Sequence, residues 1–188
     1  MFCINEFCFF WMVFWICTWF NDSDVKTAGN ITSLVFSTVV TITWPIIFAY
    51  GWNPTPLFHL SIGYFIWDLL VCLMFHNVFG YTMIFHAVLS LCSILLAPYY
   101  PKYGFALLTY EFSTVWLNLL KLEWFPKSRW LLTLLFVATF FVFRICFGTY
   151  YITMHIMPNT PNSIGVLCVL MVMLNFYWAG LFSRKVVQ

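Results

Sequence analysis

Charged residues are scarce in this chain. Lys, Arg, Asp and Glu together make up 7% of its 188 residues, against about a quarter in an ordinary globular domain. The formal net charge is only +2 and no basic run is present, which argues against a nucleic-acid partner. Apolar residues make up 63% of the chain, which is more than a soluble fold of this size can bury. The sequence therefore predicts an integral membrane protein.

Several signatures of enzymes and metal proteins are also missing. The seven cysteines form no C-x-x-C pair, and the four histidines are scattered rather than clustered. No G-x-S-x-G, H-E-x-x-H or phosphate-loop motif is present. We therefore expect no disulfide framework, no metal site and no cofactor. The first apolar run lacks a basic region before it and an A-x-A site after it, so we expect a retained span rather than a cleaved signal peptide.

Long apolar runs separated by proline-containing breaks dominate the chain. Runs of this length approach the roughly 20 residues that cross a bilayer and must be helical, because lipid cannot satisfy an open strand edge. The fold class is thus an all-α, polytopic transmembrane bundle of about seven spans. We divide the chain into an N-terminal span and loop (1–30) and a transmembrane domain (31–188). The seven spans lie at about 4–20, 31–50, 57–75, 81–97, 103–121, 129–153 and 163–183. Pro45, inside the second span, should kink it.

Basic residues are distributed unevenly between the two ends of the spans. With seven spans, one side receives six basic residues and the other receives only Lys102. The positive-inside rule then places the C-terminus in the cytosol, or in the matrix of a mitochondrion. Two glycosylation sequons begin at Asn21 and Asn30 on that same side, so we expect both to be unmodified. The six residues are Lys26, Lys121, Lys127, Arg129, Arg184 and Lys185.

Two polar residues of adjacent spans lie at similar depth. By helical rise, Asp68 lies about 10 Å and His86 about 8 Å from the inner end of their spans. A charge within a span is costly and normally faces the bundle interior, where it finds a partner. We therefore expect Asp68 and His86 to face each other, with the carboxylate bonded to the imidazole. The histidines at span ends (His59, His76 and His155) are expected at the membrane interface.

A second polar group involves the fifth and sixth spans. Glu111 and Arg144 lie at depths of about 15 and 22 Å, a gap that the long Arg side chain can close. Glu111, Thr114 and Asn118 share one helix face by their spacing. We expect a Glu111–Arg144 pair with a polar stripe beside it. Two interpretations stay open, because such pairs either join helices or form a functional site.

Residues 57–185 resemble the TLC-domain family, which includes the ceramide synthases and a group of smaller proteins. The smaller members are the more similar ones. The resemblance implies six core helices around an intramembrane cavity, an extra N-terminal span, and a role in lipid metabolism or sensing. It rests on the order of GYFIWDLL (63–70), His86, EFS (111–113), Asn118 and FFVFRI (140–145).

The resemblance to ceramide synthases is incomplete at the residues that matter for catalysis. Those enzymes use paired histidines and acidic residues to transfer an acyl group from acyl-CoA to a sphingoid amine. Phe85 stands where the first histidine of the pair would fall, while His86 matches the second. No acidic pair of that type is evident in the fifth span, which contains only Glu111. These differences favour a non-enzymatic role.

Three hypotheses follow. The first is a protein that binds membrane lipid, or acts in lipid homeostasis, through a polar cavity lined by Asp68, His86, Glu111, Thr114, Asn118 and Arg144. The second is a non-catalytic subunit of a larger membrane complex, for instance in the mitochondrial inner membrane. The third is an acyl-CoA-dependent acyltransferase with His86 as general base and Asp68 orienting its ring. The expected ligands are a phospholipid or acyl-CoA, and the expected location is the endoplasmic reticulum or the mitochondrial inner membrane.

Overall fold

Helices account for nearly all of the chain in this computed structural model, which describes residues 4–22 and 24–186. No strand occurs within these two ranges, and the all-α class is confirmed. The first helices are α1 (Ile4–Asp22), α2 (Val25–Tyr50), α3 (Thr55–Met74), α4 (His76–Phe79), α5 (Tyr81–Ile94), α6 (Pro101–Leu108) and α7 (Glu111–Leu122). The last long helix is α10 (Asn162–Val186).

Between α7 and α10 the chain forms one long helical rod, Pro126–Asn159. The rod contains α8 (Arg129–Thr139) and α9 (Gly148–Tyr151), separated by a π-helical stretch at Phe140–Phe147. A second π-helical stretch follows at Ile152–Ile156. Such wide turns are uncommon and are often found at functional sites, and the first one contains Arg144.

The expected spans all correspond to helical segments, but they differ in how completely they could cross a bilayer. By length and composition, four segments of the described chain suffice: Val25–Tyr50, Thr55–Met74, Pro126–Asn159 and Asn162–Phe182. α1 and α5 are apolar but shorter. The fifth expected span is interrupted at Thr109–Tyr110, where hydrogen bonds shorten to an i to i−3 pattern, as in Tyr110 N–H to Leu107 O at 3.1 Å.

Short-range signals determine where several helices begin and end. The carboxylate of Asp24 accepts hydrogen bonds from the backbone N–H of Thr27 (2.9 Å) and of Lys26 (3.3 Å), which caps α2. Bonds from the side chain and backbone of Thr27 lower the pKa of the Asp24 carboxyl. Gly51 ends α2 with φ of 64°, a left-handed conformation that glycine adopts without strain. α2 continues as a helix through Pro45.

Six segments form a closed ring. Going round it, α2 packs on α3, α3 on α5, α5 on α10, α10 on the rod, the rod on α7, and α7 on α2. α1 lies outside this ring and packs against α2 and α3. This arrangement confirms the six core helices with an additional N-terminal span that the family resemblance implied.

α1 is attached to the ring by an aromatic cluster. The ring of Trp11 lies edge-on to Phe36 of α2 and to Tyr64 of α3, with centroids 5.7 and 5.6 Å apart. The Trp11 indole N–H also donates to the backbone carbonyl of Leu60 at 3.3 Å. Phe36 and Tyr64 stack on each other at 3.7 Å. Part of the aromatic content therefore forms the core rather than a lipid-facing belt.

Because consecutive segments run in opposite directions, one end of the bundle collects most of the basic residues. We call this the basic end, and it contains the start of α2, the α3–α5 junction, the α7–rod junction and the C-terminal end of α10. Lys26, Lys121, Lys127 and Arg129 lie there. The side chains of Arg184 and Lys185, and residue Ser23 of the first sequon, lie outside the described part of the chain. Which compartment the basic end faces stays a prediction.

Candidate functional site

A cavity of about 420 Å³ lies inside the helical ring. All six ring segments contribute to its wall, and α4 contributes Val78 and Phe79 at the basic end. We call it the central cavity. The six candidate residues chosen from the sequence all line it: Asp68, His86, Glu111, Thr114, Asn118 and Arg144. The structure thus brings them together, although the pairs that they form differ from those expected.

Arg144 is held by neutral groups rather than by Glu111. Its guanidinium donates from Nε to Ser113 Oγ at 2.8 Å, from Nη2 to Thr114 Oγ1 at 2.9 Å and from Nη1 to Asn175 Oδ1 at 3.3 Å. No salt bridge joins Arg144 to Glu111 among the described side chains, where the ion pair found is Arg129–Glu123 at 2.9 Å. The expectation of a direct Glu111–Arg144 pair is therefore wrong.

The reason is that Arg144 already has acceptors at closer range. Thr114 accepts from Arg144 and also lies against the Glu111 carboxylate, so the hydroxyl stands between the two charges. Three aromatic rings surround the guanidinium carbon, those of Tyr110, Phe140 and Trp178, at 5.5 to 5.8 Å from their centroids. Such rings attract a cation without themselves being charged. With 7% of its surface exposed, Arg144 ties the rod to α7 and α10.

Two local irregularities produce this geometry. The tight turn at Thr109–Tyr110 begins α7 at Glu111, and the wide π-helical turns at Phe140–Phe147 contain Arg144. Hydroxyl groups that bond their own backbone accompany the tight turn, as in Thr109 Oγ1 to Ala106 O at 2.6 Å. An interrupted helix at membrane depth is tolerated where it is buried against protein. The irregular stretches face each other across the polar cluster.

Asp68 and His86 line the same cavity but do not bond to each other. The thiol of Cys72, one turn further along α3, donates to Asp68 Oδ1 with an S to O distance of 3.9 Å. His86 Nδ1 and Ser90 Oγ form a hydrogen-bonded pair at 3.4 Å within α5. The His86 ring also lies edge-on to Trp178 at 4.9 Å. The expected Asp68–His86 hydrogen bond is therefore wrong, because each side chain finds a partner on or near its own helix.

The polar stripe of α7 is present as expected from its spacing. Glu111, Thr114 and Asn118 all face the cavity, and Asn118 is buried. Its Nδ2 donates to Ser33 Oγ of α2 at 2.9 Å, which joins two neighbouring ring segments. Lys121 continues the stripe to the basic end.

Sequence reasoning missed several cavity and cluster residues. Asn175 lies within an apolar run of α10 and is 2% exposed. A polar amide inside an apolar run is visible in the sequence and could have identified it. Ser113 belongs to the EFS motif but was not chosen; its hydroxyl donates to Tyr110 O at 3.0 Å and accepts from Arg144 Nε. Lys26, before the second expected span, and Lys121, the last residue of the fifth, were counted only as basic residues at the span ends, yet both line the cavity.

One further donor at the cavity has no protein acceptor. Trp67 lines the cavity and is 1% exposed, and its indole Nε1–H has no hydrogen-bond partner among the described residues. An unpaired buried donor is uncommon and calls for an explanation. In the described chain, no group of three or more His, Cys, Asp or Glu side chains converges in a way that could hold a metal ion.

Comparison with known proteins adds a family match. A model of the TLC domain matches residues 2–184. Topoisomerase I damage affected protein 4 of Saccharomyces cerevisiae is 32% identical over 68% of this chain and 52% of its own length. TLC domain-containing protein 4 C of Dictyostelium discoideum is 30% identical over 74% of this chain and 59% of its own length. The chain thus spans a little over half the length of these two relatives. No solved structure matches.

Proposed function

The chain belongs to the TLC-domain family, and on that premise we propose that it holds one membrane lipid in its central cavity and acts in membrane lipid homeostasis. The cavity volume of about 420 Å³ lies within the range of about 300–1,000 Å³ that is common for small-molecule sites. The observation that carries the proposal is the division of the cavity into two unlike walls.

One side of the cavity contains most of its polar groups, and the opposite side, formed by the rod and α10, is apolar apart from Arg144. α2, α3 and α7 supply Asn30, Ser33, Asp68, Thr114 and Asn118, together with charged groups at each end of the α7 stripe. The rod and α10 supply the apolar wall, formed by Phe136, Phe140, Trp178, Leu181 and Phe182. On that wall Phe182 packs edge-on to Phe136 and Phe140 at 5.0 and 5.5 Å.

An amphiphile fits such a cavity because each of its parts meets a wall of like character. The acyl chain gains from contact with the aromatic rings, since apolar burial contributes about 25 cal/mol per Å². The head group gains from polar side chains that would otherwise face a low-dielectric interior without partners. A membrane supplies molecules of this kind at high local concentration, so the proposed ligand is available where the protein resides.

The two other hypotheses have less specific support. An acyltransferase would use His86 as general base with Asp68 orienting the ring, but these two side chains do not bond to each other. A subunit of a larger complex would expose apolar surface, as this chain does at Phe48, Leu134 and Met173. Exposed apolar side chains are equally required of any membrane-embedded surface, so this feature does not favour a protein partner over lipid.

A cavity-filling substitution tests the proposal. Leu117 lines the cavity, whereas Leu134 lies on the outer face of the rod with 57% of its surface exposed. We expect Leu117→Trp to abolish the lipid that co-purifies with the wild-type protein, because the indole occupies the space of the ligand. Native mass spectrometry of protein released from mild detergent measures the bound mass. The matched control Leu134→Trp should retain the lipid at the wild-type level.

The opposite results have clear meanings. Wild-type protein that carries no lipid under these conditions would contradict the proposal. Equal lipid occupancy in both Trp variants would place the lipid on the outer surface and would also contradict it.

A further inference from the structure

Charges of opposite sign lie in layers along the central cavity. Lys121, Asn118, Thr114 and Glu111 follow one another at spacings of three, four and three residues, which places them on one face of α7. All four line the cavity. Lys121 lies at the basic end, and Glu111 lies about 15 Å deeper by helical rise. The stripe therefore runs from a cation at the opening to a carboxylate inside.

The outer layer consists of two ammonium groups. Lys26 of α2 and Lys121 of α7 both line the opening and are electrostatic neighbours of the same sign. Neither forms a salt bridge within the described part of the chain. Both side chains are exposed at the basic end, so an anion from the membrane surface can reach both ammonium groups. A phosphate suits this position because its oxygens accept charge-assisted hydrogen bonds from both amines.

The inner layer consists of two carboxylates. Asp68 is an electrostatic neighbour of Lys121 on the outer side and of Glu111 on the inner side. The thiol of Cys72 is its hydrogen-bond donor, and a thiol is a weak one. Neither Asp68 nor Glu111 has a salt-bridge partner among the described side chains. A cation from the ligand would offset the like-charge repulsion of this pair.

Arg144 is an electrostatic neighbour of Glu111, without a salt bridge to it, and is not a neighbour of Asp68. Each of its three nitrogens donates to a neutral acceptor, so the guanidinium is engaged in joining helices. Trp67, next to Asp68 in α3, lines the cavity with an indole N–H that lacks an acceptor in the described structure.

Resting on the proposed function, we infer that the bound lipid is an amine-bearing phospholipid. Its phosphate lies between Lys26 and Lys121, and its primary ammonium lies against Asp68. A primary ammonium donates N–H bonds to carboxylates, whereas the quaternary ammonium of choline has no N–H to donate. The acyl chain follows the apolar wall at Phe136, Phe140 and Phe182. Both ends of the head group thus meet charges of the opposite sign.

Lipid capture from defined vesicles tests the inference. The purified protein is incubated with phosphatidylcholine vesicles that contain about 10 mol% of one test lipid. The test lipid is either phosphatidylethanolamine, whose head group has a phosphate and a primary amine, or phosphatidylglycerol, whose head group has a phosphate and no amine. We expect phosphatidylethanolamine to bind about tenfold more tightly, the factor that corresponds to one charge-assisted bond. Bound lipid is quantified by native mass spectrometry.

Substitutions in the two layers should have different effects. Lys26→Gln with Lys121→Gln should weaken both lipids about equally, because both carry a phosphate. Asp68→Asn should abolish the preference for phosphatidylethanolamine while phosphatidylglycerol binding persists, which shows that the variant is folded. Lys102→Gln, at the end away from the basic end, and Glu123→Gln, in an exposed salt bridge, serve as charge-matched controls and should change neither lipid.

Each alternative outcome has one meaning. Lipid that binds without head-group preference in the wild type overturns the inference and leaves the proposed function intact. A preference that survives Asp68→Asn overturns the amine position. Binding of both lipids that stays at the wild-type level in the double Lys variant overturns the phosphate position. Absence of any bound lipid overturns the proposed function itself.

Discussion

At the scale of single residues, Arg144 shows how a charge is kept inside a membrane bundle without an ionic partner. Three neutral oxygens accept its hydrogen bonds, and three aromatic rings surround it. A second buried charge would add its own desolvation cost, which often exceeds the gain from pairing. Hydroxyl and amide acceptors avoid that cost, so this geometry favours a role of Arg144 in holding helices together.

We expect Arg144→Lys to lower the stability of the protein by about 2 kcal/mol, because a single ammonium cannot reach the three acceptors in the same geometry and leaves buried polar groups unpaired. Thermal unfolding in detergent, followed by circular dichroism, measures the change. Arg129→Lys, in the exposed salt bridge with Glu123, is the matched control and should alter stability by less than about 0.5 kcal/mol. Unchanged stability with lost lipid binding would instead make Arg144 a ligand contact.

The sequence was enough to choose these residues, but it did not predict their hydrogen-bond partners. Asp68, His86, Glu111 and Arg144 are conspicuous because they interrupt apolar runs. Counting residues gives depth but not rotation about the helix axis. The π-helical turns around Arg144 and the tight turn before Glu111 both change that rotation, so depth matching joined the wrong side chains.

At the scale of elements, the contact between α1 and α3 depends on a glycine. A Cβ atom at Gly63 would lie 2.7 Å from the Cβ of Phe7 and 2.8 Å from the backbone nitrogen of Cys8. Backbone atoms cannot move aside as the end of a flexible side chain can. The absent side chain therefore lets the two helices approach closely, as small residues do in other membrane bundles.

Gly63→Ala should separate α1 from the ring and lower stability by about 1–3 kcal/mol, the usual cost of overpacking a tight contact. Thermal unfolding in detergent measures the loss. Gly180→Ala is the control, since nothing lies within 4 Å of a Cβ at that position and alanine is the better helix former. A Gly63 variant as stable as the Gly180 variant would mean that α1 is not packed as described.

Element boundaries were largely predictable, and the exceptions have physical causes. Helix starts at Pro54–Thr55 and at Pro101 and the αL end at Gly51 follow from local residue types. The interruption at Thr109–Tyr110 was not expected, because hydropathy averages over a window and does not register a change of hydrogen-bond pattern. The division of the chain at residue 30 stays a prediction.

At the scale of the whole molecule, the uneven distribution of basic residues predicts orientation. Lys26, Lys121, Lys127 and Arg129 lie at one end and Lys102 at the other. Lys26 and Lys121, together with Val78 and Phe79 of α4, line the cavity at the basic end. The positive-inside rule predicts that this end faces the cytosol or matrix.

Protease protection of the membrane-embedded protein in sealed vesicles tests this orientation. We expect a tag after the C-terminus to be digested from the cytosolic or matrix side, and a tag in the loop at Lys102 to be protected until the membrane is opened with detergent. Each tag is the control for the other, because the protease reaches only one of them while the vesicle is intact. Protection of the C-terminal tag, or a glycan on Asn21, would reverse the orientation.

Composition, run length and the positions of rare polar residues are local properties, and they were enough to predict a helical membrane bundle and six of the residues that line its cavity. The walls of the cavity, the partners of Arg144 and the layering of Lys26, Lys121, Asp68 and Glu111 were decided only by tertiary structure. Each of these depends on how one helix is rotated against another, and that rotation follows from packing between segments far apart in the chain, where no local pattern records it.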